Sequence, residues 1–165
     1  MIYSFLQNGD SAVTVQFQNE ISKEVNSQVT ALCDRLEAKH IDGVVELVPT
    51  FASLTVFYDC SVISSKKLKK KIEALIRDGE SHAKGAARVW NIPVCYDDEF
   101  ALDMETVCSH TKLTRDEVIA LHTSKPYLIY MLGFLPGFAY LGGMDERLFT
   151  PRLKTPRLEI FEGAV

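Results

Sequence analysis

Twice in its first 80 residues the chain runs two short alternating segments into one amphipathic helix, and this repeat restricts the fold more than any other feature. Val13, Val15 and Phe17 alternate with Thr14 and Gln16, the two-residue period of a half-buried strand. Ile2 to Leu6 reads as its partner, because Gln7-Asn8-Gly9-Asp10 carries the Asn-Gly signal of a tight hairpin. Ile21, Val25, Val29, Leu32 and Leu36 follow at spacings of 4, 4, 3 and 4, one apolar stripe on a helix ending near Ala38. Ser22 or Asn19 is placed to cap it. After the Asp42-Gly43 turn the pattern recurs. Val44 to Val48 and Ser53 to Tyr58 read as strands around Pro49-Thr50-Phe51, and a helix after Ser64 or Ser65 turns Leu68, Ile72, Leu75 and Ile76 inward. A helix with one apolar stripe must lay it on another element. The order ββα-ββα therefore predicts an α+β fold, with a sandwich of helices on one face of a mostly antiparallel sheet. Lys66, Lys67, Lys69, Lys70 and Lys71 crowd the second helix, either as a solvated face or as a patch for phosphate or a partner.

At 165 residues, 47% of them hydrophobic and 24% charged, the chain has room for one usual domain or two small ones, with a core that needs no staples. A net charge of −4 argues against a dedicated nucleic-acid binder. No apolar run approaches the roughly 20 residues that span a bilayer. Met1 to Leu6 has no basic stretch ahead of its apolar residues, so a signal peptide is not expected and a cytoplasmic protein is. Cys33, Cys60, Cys95 and Cys108 show no C-x-x-C spacing and are expected to be reduced, some of them buried.

Glu80-Ser81-His82-Ala83-Lys84-Gly85-Ala86-Ala87 is small and polar and reads as a linker, which predicts domains at residues 1–84 and 85–165. Arg88 to Tyr96 then reads as a strand, with Pro93 marking an edge or a bulge. Leu102 and Val107 suggest a short helix reaching His110. Thr114-Arg115-Asp116-Glu117 is a capping box opening a helix that carries Val118, Ile119, Leu121 and His122 and stops at Lys125-Pro126. Tyr127 to Phe134 is apolar throughout and predicts a strand buried on both faces.

The segment Gly133-Phe134-Leu135-Pro136-Gly137-Phe138-Ala139-Tyr140-Leu141-Gly142-Gly143 is unlike linker sequence. Glycines and a proline bend it repeatedly, and aromatics stand between the bends. Such a loop is either the rim of a pocket or a loop packing its aromatics under a barrel end. Beyond it, Thr150-Pro151-Arg152 and Thr155-Pro156-Arg157 repeat a unit at a spacing of five. Proline restricts the backbone, so each arginine is either presented to an anion with little freedom or simply sits on an extended surface arm.

From Leu121-His122 through Tyr127 and the glycine-aromatic run to the two Thr-Pro-Arg units, the chain resembles the KipI/PxpB family. That family is also described as allophanate hydrolase subunit 1 or the carboxyltransferase C/D subdomain. The resemblance is strongest from Arg88 to Val165 and weaker through Gly43-Val44-Val45-Glu46-Leu47-Val48-Pro49 and Ser53-Leu54-Thr55-Val56. It implies a small N-terminal α/β domain followed by a cyclophilin-like β-barrel. It also implies a subunit of a heteromeric ATP-dependent 5-oxoprolinase, working beside A-type and C-type companions. Two other family roles stay open: inhibition of a sporulation histidine kinase, and a urea carboxylase or allophanate hydrolase module. Family members continue past the position of Val165, so the barrel is expected to be incomplete, as in a truncated chain, a proteolytic fragment or a shortened gene product.

Opening 5-oxoproline with ATP requires activation of a stable lactam, a carboxylate clamp and a base. The sequence has no G-x-x-x-x-G-K-[ST], no G-x-G-x-x-G, no G-x-S-x-G and no biotinylated-lysine motif. It is therefore expected to supply part of a shared site, with ATP and magnesium bound in the complex and no metal site in this chain. His122 is the candidate catalytic base or donor. Phe134, Pro136, Gly137, Phe138, Tyr140, Gly142, Gly143, Arg152 and Arg157 are the candidate substrate-binding or partner-binding residues. Cys108, His110 and His122 lack the further ligands zinc needs. Asp97-Asp98-Glu99 reads as an acidic turn or as a magnesium site.

Overall fold

The computed structural model describes residues 2–79 and 88–164. The proposed linker, Glu80 to Ala87, and the domain boundary within it lie outside the described residues. The chain is α+β and forms two compact units, Met1–Ala86 with Ile129–Gly142, and Ala87–Leu128 with Gly143–Val165.

In the first unit β1 (Tyr3–Asn8), β2 (Ala12–Phe17), α1 (Lys23–Lys39), β3 (Val44–Pro49), β4 (Ser53–Tyr58) and α2 (Ser65–Asp78) follow in the expected order. The four strands form one antiparallel sheet in the order β1-β2-β4-β3. Gly9 takes a positive φ of 60° in the tight turn between β1 and β2, where a side chain would be strained. The register sets Val13 opposite Val56 and Val15 opposite Leu54 on the two central strands. These residues are buried with Val25, Val29, Leu32 and Leu36 of α1 and Leu68, Ile72 and Ile76 of α2. Both helices thus lay their stripes on the sheet, as their periodicity requires. Ser22 caps α1, its Oγ accepting from Val25 N at 3.1 Å. Ile21 precedes the helix and is exposed, so the stripe begins at Val25. Ser64 caps α2.

This unit also holds a two-stranded sheet of β5 (Leu128–Leu132) and β6 (Ala139–Gly142), whose first residue alone falls in the other unit. The apolar run from Tyr127 to Phe134 predicts burial on both faces. Instead β5 is shorter and Leu128, Ile129 and Leu132 are exposed, because two strands give neither face a covering layer.

In the second unit α3 (Met104–Thr111) and α4 (Arg115–Thr123) are followed by a single 3₁₀ turn at Glu146–Leu148. Thr114 forms the expected capping box: its Oγ1 accepts from Glu117 N, and Glu117 accepts from Thr114 N. Val118 and Leu148 are buried apolar residues of this unit. The strand expected over Arg88 to Tyr96 is absent among the described residues. Residues 88–96 and 158–161 are irregular, with Val89, Trp90, Ile92, Leu158 and Ile160 exposed, since no described strand pairs with either segment. No closed barrel occurs among the described residues. The cysteines form no disulfide, and Cys33 is buried. No described helix is long and apolar enough to cross a membrane.

Candidate functional site

The glycine-aromatic run forms the tip of the β5–β6 hairpin. Gly133 N donates to Phe138 O at 3.1 Å and closes the loop, and Phe138 N donates to Leu135 O at 3.0 Å within it. Gly137 bends at a φ of 81°, and Phe134 takes a φ of 65°, which a bulky side chain rarely adopts. The Phe134 side chain is 82% exposed. Phe134, Phe138 and Tyr140 stack edge to face in a row, with centroids 5.8 and 5.3 Å apart. Leu135, Phe138, Tyr140 and Leu141 are exposed beside Phe134, and Pro136 shapes the turn between them. Gly142 is required for a different reason: a Cβ there would run into the ring of Tyr130. The hairpin is tied to α1 by Asn26, whose side-chain amide donates to Tyr130 O at 3.0 Å. The hairpin therefore presents an exposed aromatic tip.

His122 lies in the last turn of α4, in the second unit. Its Nδ1 is 2.5 Å from the Tyr96 hydroxyl, and its backbone carbonyl accepts from the Tyr127 hydroxyl at 2.9 Å. Both phenol rings flank the imidazole, with centroids 5.9 and 5.7 Å away. Partial burial pushes the Tyr96 phenol up, and the neighbouring Tyr127 adds to it. Burial does the same to Tyr127, with the charge of Asp145 contributing. Both phenols therefore keep their protons at neutral pH. The Tyr96 hydroxyl and His122 Nδ1 share one hydrogen bond, in which a phenol can either donate or accept, and Nε2 is the ring nitrogen left for another partner. Arg115 holds this corner: its guanidinium pairs with Asp98 at 2.6 Å and donates to the backbone carbonyl of Tyr96. Asp98 is thus part of an ion-paired acidic turn. Among the described residues no three His, Cys, Asp or Glu side chains stand where they could hold a metal ion together.

Arg157 also lies in the second unit. Its guanidinium binds Asp103 with two bonds, of 2.6 and 2.7 Å. Asp103 precedes α3 without using its side chain as a cap, so its carboxylate is given over to the arginine. Phe161 rests edge to face on Phe100, at 5.9 Å, and is a second contact of this segment. Arg152 is exposed, and Gly143 takes a φ of 105°. The candidate residues therefore divide. Phe134, Pro136, Gly137, Phe138, Tyr140 and Gly142 belong to the first unit, and His122, Gly143, Arg152 and Arg157 to the second. Sequence reasoning misses Tyr96, Asp103, Arg115 and Tyr127. Tyr127 stands five residues beyond His122, where a local signal exists; Tyr96 and Asp103 meet their partners across 26 and 54 residues, and no local pattern reports such contacts.

The chain matches the family described as carboxyltransferase domain, subdomain C and D, over residues 3–165. It is 39% identical to a 5-oxoprolinase subunit of Bacillus subtilis (strain 168), an alignment covering 99% of this chain and 72% of that protein. Among solved structures it resembles TTHA0988, with a TM-score of 0.73 and 32% identity over 88% of this chain; it spans only 28% of that chain. The K. lactis urea amidolyase shares the fold, with a TM-score of 0.63 at 18% identity, over 84% of this chain and 10% of that one.

Proposed function

Because the chain belongs to the carboxyltransferase subdomain C and D family, we propose that it is one component of a heteromeric ATP-dependent 5-oxoprolinase and contributes part of a shared active site. The observation that carries this reading is the 39% identity to the 5-oxoprolinase component of Bacillus subtilis, across 99% of the chain. In the balanced reaction 5-oxo-L-proline, ATP and two waters give L-glutamate, ADP and phosphate. One water opens the lactam and the other completes hydrolysis of ATP. The lactam is too stable to open unaided, and phosphoryl transfer to its oxygen makes the carbonyl carbon open to attack.

The residues of this chain fit supporting roles in that chemistry. The exposed row Phe134, Phe138 and Tyr140 suits contact with a companion of the A or C type, since aromatics at a rigid tip bury large area at low entropic cost. Arg152 and Arg157 suit an anionic group, the substrate carboxylate or a phosphate, through the planar guanidinium fork. Arg157 already holds a carboxylate in that manner. His122 suits holding or moving a proton at Nε2, with Nδ1 occupied by Tyr96. ATP, with magnesium, is the co-substrate of the assembled complex.

Reconstitution tests this reading. The chain is combined with A-type and C-type companions, and glutamate formed from 5-oxoproline is measured with and without ATP. ATP-dependent turnover that requires this chain is expected, with none from the chain by itself. Equal turnover by the companions without this chain, or full turnover by this chain alone, would overturn the proposal.

A further inference from the structure

The outer edge of β1 and the lysine flank of α2 lie side by side, and we propose that together they take an extended acidic segment of a partner protein as a fifth strand of the sheet. The order β1-β2-β4-β3 leaves two edges, and they are not alike. On β3 the ladder shifts between Val44 and Glu46, Glu46 places a charge on the strand, and Pro49 closes it. Irregularities, charges and prolines of this kind discourage further pairing. β1 has none of them. It reads Tyr-Ser-Phe-Leu-Gln-Asn and pairs with β2 in unbroken register from Tyr3 opposite Phe17 to Asn8 opposite Ala12. Among the described residues no strand pairs with its outer side, and Leu6 is exposed on the sheet face opposite Phe5. Six residues offer an edge of about 20 Å on which backbone N–H and C=O groups can pair with an added strand.

α2 supplies the charge beside that edge. The Ser65 hydroxyl donates to the Gln7 side-chain oxygen at 2.5 Å, and Lys69 Nζ stands 5.9 Å from the centre of the Phe5 ring. These contacts run the first turns of α2 along β1. Lys66 precedes Lys69 by three residues and Lys70 by four, so the three share one flank, with Glu73 as its single carboxylate. The first turn carries no acidic residue. Lysines there oppose the helix dipole, and the pairs Lys66–Lys70 and Lys67–Lys71 repel at i,i+4. The arrangement weakens the helix by itself, and an anionic partner relieves both penalties. A protein strand fits better than a nucleic acid or a lipid surface, because it also satisfies the open backbone edge. The strip is a positive patch on a chain whose net charge is −4.

The test uses the whole chain and a labelled nine-residue peptide of alternating glutamate and valine, blocked at both ends. Fluorescence anisotropy reads binding, and amide hydrogen exchange reads β1. The peptide is expected to bind and to slow exchange at residues 3–8. Binding should weaken at least tenfold in the K66E/K69E/K70E variant. Leu6→Glu, at an exposed position, should weaken it similarly and serves if the triple variant does not fold. A control peptide with prolines at two central valines keeps the charge but cannot form the ladder, and it should bind at least tenfold more weakly. Equal binding of the proline peptide, or binding without protection of β1, would overturn the added strand. Binding of phosphatidylserine vesicles with no binding of the peptide would overturn the proposal in favour of a membrane surface. None of these measurements depends on turnover, so the proposed enzymatic role can fail without affecting the result.

Discussion

Arg157 grips Asp103 across 54 residues of chain with two bonds, of 2.6 and 2.7 Å, the fork geometry in which guanidinium binds a carboxylate. The pair holds the irregular segment after Thr155 to the start of α3, and it occupies the guanidinium of an arginine that the sequence offers either to an anion or to a surface arm. The two roles separate by mutation. In the reconstituted complex Arg157→Ala is expected to lower activity at least tenfold, whereas Asp103→Asn, which weakens the same clasp but keeps the arginine, should keep activity within twofold. Equal losses in the two variants would reduce Arg157 to a structural clasp.

Asp145 accepts from the guanidinium and the backbone N–H of Arg147, and these bonds hold its carboxyl down from the usual 3.8 to about 2. A depressed carboxylate stabilises the fold above its unfolded value and loses that contribution as pH falls through its folded value. The contribution is therefore complete above about pH 4 and lost as the pH falls from there towards 2. Carboxyl-carbon NMR should place the Asp145 midpoint near 2, and Asp145→Asn should flatten the dependence of stability on pH in that window. A midpoint near 3.8 would show that the pair does not persist in solution.

Gly142 leaves no room for a side chain because Tyr130 packs across it. Gly142→Ala is expected to destabilise the hairpin by about 1–3 kcal/mol, the usual cost of overpacking. Adding Tyr130→Ala should recover part of that loss, since it removes the atoms the methyl group meets. Additive losses in a urea-denaturation cycle would refute the steric explanation.

Thr114 and Glu117 close the first turn of α4 reciprocally. Thr114→Ala should cost about 1 kcal/mol by chemical denaturation, the typical value of a lost N-cap. Thr114→Ser should retain most of it, because a hydroxyl in the same place accepts the same bond.

Leu32 and Ile72 are fully buried where α1 and α2 meet the sheet. Replacing either with alanine should cost about 2–5 kcal/mol, the transfer term plus the cavity left behind. A loss below about 1 kcal/mol would mean that the helices do not pack on the sheet as described.

The second half of the chain marks where local reading stops. Trp90 and Ile92 lie in a segment with strand-like composition, yet residues 88–96 are irregular, because a strand exists only where a neighbour completes its ladder. The uninterrupted apolar run around β5 reads as two-sided burial, yet burial depends on what covers each face, and among the described residues nothing buries Leu128, Ile129 or Leu132. The aromatic tip, by contrast, is legible as a bent and rigid segment. Glycine and proline act on the backbone at their own positions, so their effect is written where they stand.

The division follows the range of the forces involved. Residues three and four apart on a helix, or two apart on a strand, already share a face, so the sequence alone determined α1, α2, the four strands of the first sheet, the Asn8-Gly9 turn and the Thr114 cap. It also determined which side of each element is apolar, and hence that two helices must cover one sheet. Only the tertiary structure decided the strand order that leaves β1 at an open edge, the Tyr96 hydroxyl on His122 and the Asp103 carboxylate on Arg157. Those contacts join residues far apart in sequence. Their energies depend on where the whole chain carries each partner, and no window of neighbouring residues contains that information.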